Sequence, residues 1–110
     1  MVVKTLKFSF DYCDSCLWDE GGLVELDSLP LSDSMKKDLY EISEEFSGIL
    51  NWSDPHEPSP WTRKQCVDFF DRAEIICRRL QAEFKGSYEV INCLEYDRRM
   101  YLYDNVFSDD

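Results

Sequence analysis

Between Pro60 and Lys85 the apolar residues Cys66, Phe69, Phe70, Ala73, Ile76, Cys77, Leu80 and Phe84 recur in steps of three and four. That spacing places all of them on one side of an α-helix. A helix with one long apolar side draws most of its stability from packing, so the rest of the chain must supply a surface to cover it. Ser59 and Pro60 read as its N-cap and first helical residue, and Gly86 as its left-handed stop.

A second stripe precedes it. Met35, Leu39, Ile42, Phe46 and Ile49 predict a helix from about Asp33 to about Leu50, capped by Ser32 or Ser34, with Asp33 favourable to the helix dipole. The loop between the helices, Asn51 to Trp61, holds Pro55, Pro58 and Pro60, which exclude regular structure. Ahead of both helices the period changes to two. Leu6, Phe8 and Phe10 alternate with Thr5, Lys7 and Ser9, the pattern of a half-buried strand. Residues 15–26, SCLW-DEGG-LVEL, read as a second pairing region turned at the Asp-Glu-Gly-Gly centre. After Gly86, SYEVINCLEY reads as a strand of mixed polarity, and RRMYLYDNV as another, turned at Tyr96-Asp97. The predicted fold is α+β: a two-layer sandwich with an antiparallel sheet and two amphipathic helices on one face, in the order β-β-(β)-α-α-β-(β). All 110 residues are expected to form a single domain.

Charge limits the partners. The 23 acidic and 12 basic side chains give a formal net charge of -11. Nucleic acids and anionic membranes are disfavoured, since both are recognised through clustered Lys and Arg. The opening segment MVVKTLKFSF alternates and lacks the continuous apolar core of a signal peptide, and no run approaches the roughly 20 apolar residues of a membrane span. An odd count of five cysteines then points to reduced thiols and a cytoplasmic location.

Three constellations could carry chemistry. Cys13-x-x-Cys16 has the spacing of a redox or metal pair, but it falls in a hairpin rather than at a helix N-terminus, and it is surrounded by carboxylates that raise a thiol pKa. A structural zinc needs four ligands, and Cys66, Cys77 and Cys93 stand singly. His56, the one histidine, lies beside Ser53, Asp54 and Glu57 in a proline-rich loop, where sequence neighbours do not converge as a triad must. The glycines are scattered in turns and form no phosphate loop. The expectation is no catalytic residue, no metal, no cofactor and no enzyme.

What remains is a surface. Between Lys7 and Lys36 the chain has no basic residue, but it has Asp11, Asp14, Asp19, Glu20, Glu25, Asp27 and Asp33, interleaved with Tyr12, Leu17 and Trp18. Alternation sends one of Leu17 and Trp18 inward and leaves the other for the core or for a partner. A one-signed block of this length repels itself, which favours a positively charged protein partner over a merely solvated face. Asp54 and Glu57 extend the candidate binding residues into the proline-rich loop, while Trp52 and Trp61 are expected to seal the helix junction.

An opening hairpin ending in CLWDEGG runs through LP into an amphipathic helix. The loop LNWSDPHEPSPW and a second long helix ending in AEFKGSYEV follow. This layout, from roughly Lys4 to Val90, resembles the small acidic immunity proteins of bacterial polymorphic and contact-dependent inhibition toxin systems. The resemblance implies a cytosolic inhibitor of one cognate toxin domain, often a nuclease with a cationic groove. The alternative is an acidic adaptor or DNA-mimic inhibitor of a host nucleic-acid enzyme.

Overall fold

The computed structural model describes residues 4–10, 16–49, 53–54 and 57–108, with the backbone alone at Asp104. Asp11, Tyr12, Cys13, Asp14, Trp52 and His56 lie outside the described residues. The fold is α+β. Strands β1 (Lys4–Phe8), β2 (Leu17–Asp19), β3 (Gly22–Leu23) and β4 (Tyr88–Asn92) form a sheet in the order β3-β2-β1-β4, with helices α1 (Asp33–Phe46), α2 (Arg63–Glu83) and α3 (Leu94–Asp104).

The alternation expected in the first strand holds. Leu6, Phe8 and Phe10 are buried, while Lys4, Thr5 and Lys7 are exposed. The chain returns through β2 and β3 as a tight antiparallel hairpin with Asp19 opposite Gly22. Gly22 has φ of +115°, a backbone conformation that disfavours any side chain.

The sheet differs from expectation in being mixed. β4 lies parallel to β1, pairing Lys4 with Tyr88 through to Phe8 with Asn92. A parallel neighbour requires a crossover, which the intervening helices provide. Both predicted stripes are buried, with Ile76 only half-buried: Met35, Leu39, Ile42 and Phe46 in α1, with Ile49 in a following 3-10 turn, and Cys66, Phe69, Phe70, Ala73, Cys77 and Leu80 in α2, with Phe84 just beyond it. The α-helix thus stops at Phe46 rather than Leu50. The two helices run antiparallel, with Arg79 on Asp38 at 2.9 Å and Arg72 on Glu45. At their shared end Ser32, the N-cap of α1, donates its hydroxyl to Glu83 at 2.7 Å.

The start of α2 also departs from expectation. Thr62 is the cap, and Thr62 and Gln65 form a reciprocal capping box. Ser59 instead bridges Phe107 near the C-terminus, its amide donating to the Val106 carbonyl at 2.7 Å. Phe107 is buried beneath the Arg63 guanidinium, 4.8 Å from the ring centroid.

Residues 94–104, expected in strands, are helical. The buried positions of α3 are Leu94, Asp97 and Tyr101, which is helical spacing with a carboxylate in the stripe. That carboxylate is buried because it has partners. Ser9 donates its hydroxyl to both oxygens at 3.1 and 2.9 Å, and the Phe10 amide donates at 2.9 Å. One turn on, the Tyr101 hydroxyl donates to the Phe10 carbonyl at 3.0 Å. The Phe10 ring meets Phe69 at 5.0 Å and Phe46 at 5.3 Å, which ties β1 to α1 and α2.

Removing a buried acceptor strands its donors at about 1–3 kcal/mol each. Asp97→Ala is therefore expected to lower the urea midpoint by an amount equivalent to at least about 1–3 kcal/mol with an unchanged slope. Glu95→Ala, at a carboxylate 80% exposed in the same turn of helix, should change it by less than about 0.5 kcal/mol.

Candidate partner-binding surface

The hairpin separates its two central residues by face. Leu17 is fully buried, while Trp18 points the other way, is half-buried, and donates its indole N–H to the Ser9 carbonyl at 3.0 Å. At the turn, Asp19 accepts from the Gly21 amide at 2.7 Å, fixing its carboxylate beside the bend. The chain then passes through a 3-10 turn, Leu26–Ser28, in which Leu26 faces the core and Asp27 faces out.

Asp19, Glu20, Glu25 and Asp27 are all exposed, and among the described residues none is ion-paired. The helices behave differently. Asp38, Glu45, Asp68, Asp71, Glu74 and Glu95 each face an arginine or lysine within 4 Å. Exposed pairs of this kind stabilise little, but they cancel the local field. Most of the negative excess is thereby left on the segment without basic residues. Tyr40 on α1 senses it: partial burial first, then the charge of Asp27 and a hydrogen bond to its carboxylate, and then the charge of Glu25, push its phenol upward. Asp54 and Glu57 are exposed on the loop leading to α2, a different segment from the hairpin. Trp61, half-buried, packs on Phe69 at 5.2 Å and crowds Gly48, where a β-carbon would come within 3.1 Å of the indole nitrogen. It thus sits where α1 ends and α2 begins.

Next to Trp18 the structure shows a hollow of about 560 Å³ that sequence reasoning missed. Lys7, Trp18 and Asp19 line it from the sheet, and Tyr96, Asp97 and Met100 from α3. Tyr96 is 70% exposed. The sequence signal for this wall was a helical spacing of Leu94, Asp97 and Tyr101, obscured by the acid at its centre.

The four described thiols are not poised for chemistry. Burial pushes Cys16 and Cys77 up to about 12 and Cys66 to about 11, away from the thiolate that a nucleophile or ligand needs. Cys93 is also raised, by burial and then by the Asp97 charge. Among the described residues no group of three His, Cys, Asp or Glu side chains could hold a metal ion. No helix among them is long and apolar enough to cross a membrane.

A family model described as Serratia CdiI immunity protein-like matches residues 4–94, which span the whole sheet, α1 and α2 and stop at the first residue of α3. No curated protein matches the chain.

The buried thiol of Cys16 makes stability depend on alkaline pH. It stays protonated in the fold up to about 12, whereas the unfolded chain releases its proton near 9.0. Above about pH 9 the unfolded state binds fewer protons, so stability falls as pH rises, by up to about 1.4 kcal/mol per pH unit for a fully buried thiol. Urea midpoints measured from pH 8 to pH 10.5 are expected to decline, and to decline less steeply in Cys16→Ala.

Proposed function

This chain belongs to the Serratia CdiI immunity protein-like family, and we propose that it neutralises its cognate toxin domain through the acidic hairpin. Immunity proteins in general bind toxins rather than catalyse reactions. In the proposed reading Asp19, Glu20, Glu25 and Asp27, with Trp18 among them, meet a positively charged surface of the toxin. Asp11 and Asp14 continue the same acidic segment, and Asp54 and Glu57 offer a secondary contact. The observation that carries this reading is the contrast in charge. The described acids of the hairpin segment form no ion pair among the described residues, while most helix carboxylates face a base.

A cationic surface of that kind is what a nuclease needs to hold phosphates, so the toxin is proposed to be a nuclease whose groove this protein fills. No nucleic acid, membrane, metal or cofactor takes part. The site of action is the cytoplasm, where a nuclease would meet its substrate. Electrostatic steering would raise the association rate toward the order of 10⁸–10⁹ M⁻¹s⁻¹ at low salt. Nanomolar protection requires about -12 kcal/mol, and desolvated anchors as well as charge must contribute to that.

Reversal of Asp19, Glu20, Glu25 and Asp27 to Lys tests the reading. Stopped-flow association with the cognate toxin domain is expected to slow by about 10- to 100-fold at low salt and to lose most of its dependence on ionic strength. An association rate and salt slope equal to wild type would sink the acidic-surface reading. Reversal of Glu41, Asp68, Asp71 and Glu95, which face bases on the helices, is the matched control and should change the rate far less.

A further inference from the structure

Charge brings partners together, but tight interfaces are held by a few aromatic or apolar anchors near their centre. The register of the sheet supplies such anchors outside the acidic segment. Trp18 pairs with Leu23 on one side and with Lys7 on the other, and Lys7 pairs with Ile91. Residues directly opposite in neighbouring strands project to the same face. Leu23, Trp18, Lys7 and Ile91 therefore form one row across all four strands, on the face opposite to that of Leu6, Leu17 and Val90, which enter the core. Leu23 is 43% exposed and Ile91 40%, so the fold leaves part of each open to solvent. The row leads to the hollow in which Tyr96 and Met100 face Trp18 and Asp19.

We propose that the toxin domain seats on this outer face of the sheet. Trp18 and Tyr96 are the anchors in the hollow, Leu23 and Ile91 extend the apolar row, and Asp19 and Glu20 form the charged rim. The proposal rests on the immunity reading above and deepens it. The fitting partner presents an apolar or aromatic projection flanked by Lys or Arg, which Asp19 and Glu20 would receive. A second copy of this chain fits the same face poorly, because a two-fold contact there would bring two unpaired acidic hairpins into one interface. Lys7 at the middle of the row adds a single positive charge, suited to a carbonyl or carboxylate on the partner.

Affinity for the cognate toxin domain, measured by calorimetry on the full chain, tests the seat. Tyr96→Ala, at a side chain 70% exposed, is expected to weaken binding about 10- to 100-fold with unchanged thermal unfolding, and Ile91→Asp, at one 40% exposed on the edge strand, to weaken it as much while the chain still folds. Tyr103→Ala, on the same helix, 89% exposed and not lining the hollow, should leave affinity within about two-fold of wild type. Wild-type affinity in both Tyr96→Ala and Ile91→Asp would overturn the seat while leaving the immunity reading intact. So would a wild-type dimer that Ile91→Asp splits, because the face would then belong to a second copy. A wild-type protein with no affinity for the toxin would overturn the immunity reading itself, and the seat with it.

Discussion

The backbone of Ser9 and Phe10 is where the parts of this molecule are joined. Every polar group of those two peptide units has a partner. The Ser9 amide donates to the Cys16 carbonyl and the Ser9 carbonyl accepts the Trp18 indole, while Asp97 and Tyr101 take the Phe10 amide and carbonyl. A buried backbone group left without a partner would cost about as much as a hydrogen bond, so the accounting has to close at this point. It closes only if the hairpin and α3 are both in place. The Phe10 side chain adds the third tie, to the helical aromatics. Burial of Asp97 follows from the same requirement. A carboxylate is tolerated in the interior when several donors converge on it.

That junction explains which parts of the fold could be read from residue order. Stripes of uniform polarity were legible: the alternation of β1, the steps of three and four in α1 and α2, the hairpin turn, and the left-handed Gly86 with φ of +87°. Each depends on local sequence alone, the stripes on periodicity and the turn and stop on glycine. The third helix was not legible, because its buried stripe runs Leu94, Asp97, Tyr101, and the acid reads as a surface residue until Ser9 and Phe10 are brought to it. Nor was the parallel pairing of β4, since nothing in Tyr88–Asn92 records which neighbour it will find. The capping box at Thr62 and Gln65 was present in the sequence and was overshadowed by the stronger helix-start signal of Ser59-Pro60.

The candidate surface divides the same way. A gap in basic residues from Lys7 to Lys36 can be seen in the bare sequence, and so can the sign of the field it leaves. The identity of the apolar row cannot, because Leu23, Trp18, Lys7 and Ile91 become neighbours only once register is set. The helices spend much of their basic complement on their own carboxylates, so the net charge of -11 is unevenly distributed. Such pairs add little stability when exposed, and their consequence lies in where they leave the remaining charge.

The pairing of β1 with β4 also sets a timetable for synthesis. The strand at the start of the chain finds its parallel neighbour only when residue 92 exists. At about 5–20 residues per second the ribosome takes roughly 4–17 s to add the stretch from Phe8 to Asn92. Until then β1 has an unmatched edge, and no leading fragment can close the sheet. Folding of this kind waits on distant contacts and is slower than assembly of a helical bundle. The row of Leu23, Trp18, Lys7 and Ile91 therefore exists as one surface only after β4 has been made.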